Sequence, residues 1–245
     1  MGSGGAITGD SSDEGDGPEV VYQRRRGLRR LRMSFDCANR LVVRVPWNCR
    51  LAEAGDFVAR NRDWIERERA SLAPVRSLAD HLAAEPFLTL AGDRVPVEIR
   101  RVSAGRSLWI FDERRREGLL RIAPDAEPGA EVLRLVRRVA SRELERRVRL
   151  LATRHGFEPR KTTVRDQVSR WGSCSRAGTI SLNWRLLLCS PGVQDYVVLH
   201  ELAHLAHLDH SRRFHALLDR LDPGRRAHEE ELARVGPALM RVGRR

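Results

Sequence analysis

The hydrophobic pattern changes along the chain from alternation in the front part to helical periodicity in the rear part. Residues 20–46 carry alternating apolar stretches on either side of a polar turn, which predicts a β-hairpin that ends at Pro46. An apolar stripe with helical spacing predicts a helix over residues 50–72. Apolar segments separated by glycines predict short strands at residues 87–90, 95–99, 107–111 and 119–122.

Helical periodicity dominates from about residue 130 onward. An apolar residue recurs every three or four positions across residues 130–155, which predicts a long helix that stops at Gly156. Strand-like segments follow at residues 162–168 and 179–182. Ser190–Pro191 then starts another helix, because serine caps helices and proline suits their first turn. That helix is apolar almost all round, so we expect it to be buried.

These elements predict an α+β fold in which a β-rich front part precedes a helix-rich rear part. Residues 1–19 contain five acidic residues and no basic one, and their Gly, Ser and Asp content predicts a disordered acidic tail. We place a soft boundary near residue 127. Residues 20–127 then form an N-terminal β-rich subdomain with one helix, and residues 128–245 form the domain that carries the chemistry.

The basic composition bears on the choice of partners. The 245 residues include 45 basic and 33 acidic ones, which gives a net charge of +12, and Lys161 is the only lysine. The arginine surplus reflects either a GC-rich coding sequence or affinity for anions such as phosphates, nucleic acid or acidic substrates, and charge alone does not separate these interpretations.

Features that would indicate another compartment are missing from the sequence. It has no apolar run of about 18 residues and no basic, apolar leader, so we expect a cytoplasmic protein without a membrane partner. The four cysteines form no CxxC pair, which indicates reduced thiols and not a disulfide framework or a zinc ribbon.

The helix predicted after Pro191 contains the motif His-Glu-Leu-Ala-His at residues 200–204. Histidines four positions apart project from one helical face, so the imidazoles of His200 and His204 can converge on one metal ion. Glu201 lies about 100° round the helix from His200, where it can border the metal without ligating it and accept a proton from a metal-bound water. The alternative is a pair of part-buried histidines whose rings bond to backbone carbonyls.

A catalytic zinc site needs a third protein ligand and one open position. The downstream candidates are His207, His210, His215 and a glutamate on a later helix such as Glu230. His207 lies on the same helical face, but three ligands spread over seven residues span about 10 Å of straight helix, which is too wide for one ion. We therefore expect His207 to cover the site or to pack.

His210 is better placed to complete the site. If the helix ends near Leu208, a turn at Asp209 swings His210 back towards the other two histidines. Ser211 then caps a second helix over residues 212–221, before Pro-Gly stops it. Asp209 either caps that turn or orients a ligand imidazole.

Several segments resemble the YgjP-like metallopeptidases, a family related to the SprT and WLM zincins. The resemblance covers roughly residues 20–222. Its motifs are Val43–Pro46, Asp63–Ile65, Arg170–Cys174, Ile180–Leu186, His200–Leu205 and Asp209–Phe214. Two positions depart from the family pattern: Asp209 stands where the family usually has Asn, and His215 where it usually has Trp.

The resemblance implies a zincin-like metallopeptidase domain. The family's HExxH motif is followed by five residues and a third histidine, which maps onto His200, His204 and His210 as ligands of one Zn²⁺ per chain, or of another divalent metal. The implied function is that of a zinc metallopeptidase in which Glu201, the acid/base, activates a zinc-bound water.

Two further functions fit the same residues. An activated water can attack phosphorus, and an arginine-rich surface suits a phosphate-bearing substrate, so a nucleotide phosphohydrolase (pyrophosphatase) using this site is the first alternative. The second is a nucleic-acid-associated protease of the SprT or WLM type, localised by its basic surface. The expected partners are therefore a peptide or phosphate-bearing substrate, with nucleic acid as a further candidate.

The segment Arg170–Cys174 does not define a chemical role by its residues alone. Gly172 fits a tight turn with Trp171 as packing, and we favour that interpretation. The alternative is a wall of the substrate cleft whose sheet edge pairs with an extended peptide.

Overall fold

The computed structural model describes residues 6–7 and 17–244. These residues fall into two compact units, one that extends to Val75 and one that runs from Arg76 to Gly243. The described part of the chain contains seven α-helices and three small sheets, so the predicted α+β fold class is confirmed. Most of the predicted acidic tail lies outside the described residues. Within the described ranges, no helix combines the length and the apolar character needed to cross a membrane.

The first unit is built on a four-stranded sheet in the order β1-β2-β4-β3. Its strands are β1 (Ala6–Ile7), β2 (Val20–Arg25), β3 (Arg32–Phe35) and β4 (Leu41–Pro46). Strands β3 and β4 pair antiparallel with Phe35 opposite Leu41, which confirms the predicted hairpin, whereas β2 pairs parallel to β4. Leu41, Val43 and Val45 alternate along β4 and are buried in the centre of this unit's core.

Two helices follow where one helix was predicted over residues 50–72. They are α1 (Leu51–Arg60) and α2 (Arg62–Ser71). The break falls at Asn61, whose backbone leaves the helical region with φ −112° and ψ 20°. Its side-chain Nδ2 donates a hydrogen bond to the carbonyl of Phe57 at 2.7 Å. In a regular helix the backbone N–H of residue 61 would bond that carbonyl, so the side chain takes the place of one backbone hydrogen bond.

The second unit begins with a helix and a four-stranded sheet. These elements are α3 (Leu78–Ala84), β5 (Phe87–Leu90), β6 (Asp93–Arg101), β7 (Leu108–Asp112) and β8 (Glu117–Ile122). The strand order is β5-β6-β8-β7, and all four strands were predicted, with ends that differ by at most two residues. Helix α3 was not predicted, because its 7 residues are too few to establish a helical period.

The long predicted helix is α4 (Pro128–His155), with 28 residues. The Glu127 side chain accepts hydrogen bonds from the backbone N–H groups of Gly129 and Ala130, which would otherwise lack helical partners. Gly156 ends the helix in the left-handed region at φ 72°, as the sequence predicted.

One hydrophobic core joins this sheet to α4 and to the elements that follow. Leu88, Leu120, Val136 and Leu199 all belong to it. The β-rich segment therefore packs with the rear of the chain, and the division between the two units falls after Val75, not near residue 127. Strand periodicity identifies an element but not the core that it joins, which explains the difference.

The rest of the second unit carries the candidate site. Its elements are β9 (Lys161–Arg165), β10 (Gly172–Cys174), β11 (Thr179–Asn183), a 3-10 helix (Trp184–Leu188), α5 (Pro191–Ala203), α6 (Arg212–Leu221) and α7 (Arg225–Leu239). The strands form a sheet in the order β10-β11-β9, so β10 lies at an edge, and it packs beside α5.

Candidate metal centre

Helix α5 is fixed by its N-terminal cap and by burial on almost every side. The Ser190 hydroxyl accepts a hydrogen bond from the backbone N–H of Val193 at 3.4 Å, and Pro191 occupies the first turn, so the predicted start is confirmed. Val198 and Leu202 are fully buried. A helix held in this way gives its side chains little freedom to move, which favours a precise site.

Helix α5 ends at Ala203, earlier than the end near Leu208 that the argument for His210 assumed. The backbone tightens after this point, because the N–H groups of Leu205 and Ala206 donate to carbonyls only three residues back, at 3.0 and 3.1 Å. His204 therefore forms the C-cap of the helix. The earlier end leaves a longer loop in which the chain can reverse.

The reversal brings His210 back towards α5. Asp209 accepts a hydrogen bond from the backbone N–H of Ser211 through its Oδ1 at 3.4 Å, so Asp209 stabilises the turn. Ser211 in turn caps α6 by accepting from the backbone N–H of Phe214. The predicted helix over residues 212–221 is confirmed at both ends.

Three imidazoles meet at this turn. The rings of His200, His204 and His210 lie with centroids 4.8–5.3 Å apart. One nitrogen of each ring lies within 4.8 Å of those of the other two, and the Nε2 atoms of His200 and His210 are 3.3 Å apart. These are the three residues that the sequence predicted as ligands, and the structure brings them together.

The orientation of His204 is set by a backbone contact. Its Nδ1 lies 2.9 Å from the carbonyl oxygen of His207, which can only accept, so Nδ1 carries the proton. The Nε2 atom of His204 then keeps a free lone pair, which is the form that binds a metal. His207 thus acts on the cluster through its main chain.

The other candidate ligands lie outside the cluster. Among the described residues, the group that could hold a metal here consists of His200, His204 and His210 alone. The ring of His215 lies 6.4 Å from that of His210, and Glu230 belongs to α7. His210 is therefore the candidate third ligand with the best geometry.

Phe214 forms the floor beneath the three rings. It is fully buried and stacks on His204 at a centroid distance of 4.5 Å, with His200 and His210 edge-on at 5.0 Å each. Sequence reasoning missed this role. The available signal was its position four residues after His210, which places it on the first turn of a capped helix.

Glu201 is buried against the edge strand β10 and is 6% exposed. A Cβ atom built on Gly172 would lie only 2.5 Å from Oε1 of Glu201 and 2.6 Å from its Cγ. Gly172 is thus required because the Glu201 side chain lies against its backbone. The predicted tight turn at Gly172 is wrong, since the residue belongs to a strand.

Burial sets the protonation of these groups near neutral pH. It lowers the pKa of His200 to about 4 and, with the neighbouring imidazoles as further causes, keeps the ring neutral. It also lowers the pKa of His204. Burial raises the pKa of Glu201 to about 7, and the positive charge of Arg170 opposes that rise. Neutral imidazoles and a carboxyl group with a pKa near neutrality therefore share the site.

Alternate residues of the segment Arg170–Cys174 interact with Glu201. Gly172 touches Glu201, Arg170 lowers its pKa, and the thiol pKa of Cys174 is raised first by burial and then by Glu201. The raised pKa keeps Cys174 protonated. The side-chain amide of Asn183 anchors the segment by donating to the carbonyl of Arg170 at 3.1 Å.

Tyr196 lies one helical turn before His200. Its ring meets the His200 ring edge-on at 5.9 Å and is mostly buried. Burial is the main cause that raises its pKa to about 12, so the phenol stays protonated. Tyr196 therefore packs against the His200 ring.

Two histidines four apart with an intervening glutamate, on a buried helix, define the class of HExxH sites, in which divalent metals are bound for hydrolysis. The chain belongs to the family of YgjP-like metallopeptidase domains, whose family model matches residues 29–235. This membership confirms the resemblance seen in the sequence and indicates a metal-dependent peptidase.

A solved structure matches part of the chain. Among solved structures, the chain is similar to the metallopeptidase zymogen abylysin from Pyrococcus abyssi. The two are 25% identical over 38% of this chain and 90% of that one, with a TM-score of 0.33. No curated protein matches the chain.

Proposed function

We propose that the protein is a zinc-dependent peptidase in which His200, His204 and His210 hold one zinc ion and Glu201 is the general base. The observation that carries the proposal is the convergence of three imidazoles, of which His200 and His204 have lowered pKa values, beside one buried carboxyl group. The family supports peptide hydrolysis as the reaction.

The three donor nitrogens lie within 4.8 Å of one another, and one pair already has the spacing that a zinc ion needs. Tetrahedral zinc with Zn–N bonds of about 2.0–2.1 Å separates its nitrogen ligands by roughly 3.3–3.4 Å. The Nε2 atoms of His200 and His210 are 3.3 Å apart. The Nδ1 atom of His200 is buried without a hydrogen-bond partner among the described residues, and Nε2 is the ring nitrogen that lies beside His210.

Glu201 supplies the proton transfer. A zinc ion at such a site lowers the pKa of water to about 7 and polarises a carbonyl group. The Glu201 carboxylate would accept the proton of the attacking water, and the carboxyl group formed in this way would return that proton to the leaving amine. Gly172 leaves the space that this carboxylate occupies, because a Cβ atom there would lie 2.5 Å from Oε1 of Glu201.

The edge strand β10 provides a place for the substrate. It pairs with β11 on one side only, and its other edge has no strand partner in the described part of the chain. Backbone groups at a free edge can hydrogen-bond an extended peptide. A peptide aligned on β10 would pass beside Glu201, because Gly172 belongs to that strand.

The direct test compares the wild type with Glu201→Gln on casein in the presence of zinc. We expect wild-type cleavage and a loss of at least about 100-fold in the variant, because the amide cannot accept the proton. Zinc content should be unchanged in both. Glu230→Gln, which makes the same replacement on α7, serves as the control and should keep full activity.

The phosphohydrolase alternative is tested with the same samples. Nucleoside triphosphates replace casein, and released phosphate or pyrophosphate is measured. Release that depends on Glu201, without any casein cleavage, would overturn the peptidase proposal and favour the alternative. Casein cleavage that survives Glu201→Gln would instead show that another group is the base.

A further inference from the structure

A groove of about 1120 Å³ lies in the second unit between β7 and α4. Residues 105–109 form one wall, residues 123–126 form another, and the first turns of α4 close the groove from Glu131 to Glu143. The three histidines of the metal centre are not among the residues that line it. The groove is therefore separate from the proposed active site.

Arginines dominate the charged groups of the groove. Arg106, Arg138 and Arg142 line it, are exposed, and have no acidic partner within the described ranges. Arg138 and Arg142 stand four residues apart on one side of α4, where like charges repel each other. An anion between them would remove that repulsion.

The acidic groups of the groove are mostly neutralised. Glu131 pairs with Arg134 at 2.6 Å, and Glu143 pairs with Arg146 at 3.1 Å. Asp125 also lines the groove and takes no part in these two ion pairs. Three unpaired guanidinium groups thus face one carboxylate, which gives the groove a positive potential.

An aromatic surface adjoins these arginines. Trp109 lines the groove, and its ring lies over Gly118, where an added Cβ would come within 2.0 Å of it. The ring of Phe111 is almost parallel to that of Trp109, at 8° and a centroid distance of 6.5 Å, and Phe111 is 37% exposed. Aromatic faces beside a positive groove are the combination that binds unpaired bases and their phosphates.

We propose that this groove binds single-stranded nucleic acid, with Arg138 and Arg142 on the phosphates and Trp109 against a base. The two arginines are separated by a rise of about 6 Å along the helix, which lets one strand touch both. A concave groove with an aromatic wall suits a strand whose bases are free, because a duplex keeps its base faces stacked inside. Arg149 and Arg154 extend the positive charge along the same helix.

Binding is measured by the fluorescence anisotropy of labelled dT12 with the full chain in EDTA, so the result does not depend on the metal centre. We expect wild-type binding that weakens steeply with salt. The double variant Arg138→Gln with Arg142→Gln should weaken binding at least about 10-fold. It should also reduce the slope of log association constant against log salt concentration by about 1.4, because each lost phosphate contact on a single strand contributes about 0.7.

The matched control is Arg114→Gln with Arg115→Gln, in the turn between β7 and β8. It removes the same charge and should change affinity less than about 2-fold.

Trp109→Phe should abolish the quenching of tryptophan fluorescence that dT12 causes. Thermal melts establish folding, and Arg142→Gln alone replaces the double variant if that one is unstable.

Three results would overturn the proposal. The first is no binding of dT12 at low salt, and the second is an equal loss in both double variants, which would mean attraction by net charge alone. The third is a 12-base-pair duplex, or vesicles with anionic lipid, bound as tightly as dT12 and with the same sensitivity to Arg138 and Arg142. None of these results bears on casein cleavage, so this proposal and the proposed function fail independently.

Discussion

The contact between Gly172 and Glu201 explains why the edge strand has a glycine at this position. The Glu201 carboxylate lies where a Cβ atom would be, at 2.5 Å. The sequence alone favoured a turn, because a glycine in a polar segment is most often used for its backbone freedom. The contact joins residues from β10 and α5, which are distant in sequence, so no local pattern could reveal it.

Gly172→Ala is therefore expected to impair catalysis without removing the metal. The added methyl group displaces the Glu201 side chain, and peptidase activity should fall by at least about 10-fold because the proposed general base is out of place. Zinc content should stay at the wild-type value.

Gly55→Ala is the matched control, since Gly55 lies in α1 and an added Cβ meets nothing within 4 Å. Wild-type kinetics for Gly172→Ala, alongside an unaffected control, would show that the close contact does not position Glu201.

The two histidines nearest the turn have separate roles. His210 offers its side chain to the cluster, whereas His207 accepts a hydrogen bond from His204 through its backbone carbonyl. The sequence favoured His210 over His207 because of the length of a straight helix. The carbonyl contact itself could not be predicted, since it depends on where α5 ends.

Zinc affinity should accordingly separate His210→Ala from His207→Ala. The first removes a proposed ligand and should weaken zinc binding by about 100-fold or more, and the second keeps the carbonyl and should change it by less than about 10-fold. Competition with a chromogenic chelator measures both. Equal losses would place the third ligand elsewhere.

Elements with strong end signals were the ones that sequence could predict. Helix α4 stops at Gly156, and α6 begins after Ser211, as their caps indicate. The end of α5 has no such signal, because His204 and the residues after it fit a helical pattern as well as a turn. The break at Asn61 was missed for a similar reason, since the apolar stripe continues across it.

The cap of α6 also positions a proposed ligand, because Ser211 directly follows His210. Ser211→Ala should reduce the free energy of unfolding by about 1 kcal/mol and also weaken zinc binding, since the loop that carries His210 loses its anchor. Chemical denaturation and chelator competition measure the two effects.

Ser77→Ala provides the comparison, because Ser77 caps α3 by accepting from the backbone N–H of Asp80. It should cost a similar amount of stability and leave zinc affinity unchanged. If both variants weaken zinc binding equally, the α6 cap has no specific role at the site.

At the scale of the whole molecule, sequence predicted the class of fold but not the grouping of its elements. Residues 87–122 form strands as predicted, yet they join the core that holds α4 and α5. Which core an element enters depends on contacts between distant residues, and periodicity carries no such information. A net charge of +12 likewise does not identify the arginines that lack acidic partners, because pairing also depends on contacts between distant residues.

Metal bound within the second unit should stabilise that unit. Zinc at 1,000 times its dissociation constant contributes about 4 kcal/mol, because it binds the folded state and the unfolded state loses the site. Removal with a chelator should lower the midpoint of thermal unfolding by roughly 8–16 °C. Calorimetry with and without EDTA measures the shift, and a variant lacking His200 and His204 should show none.

Three imidazoles are proposed to hold one divalent ion, and metal analysis of the purified chain is the decisive measurement. The protein is loaded with zinc, dialysed against metal-free buffer and analysed by mass spectrometry, beside a variant with all three histidines replaced by alanine. We expect about one zinc ion per wild-type chain and almost none in the variant. A wild-type chain that retains no more zinc than the variant would contradict the proposed site.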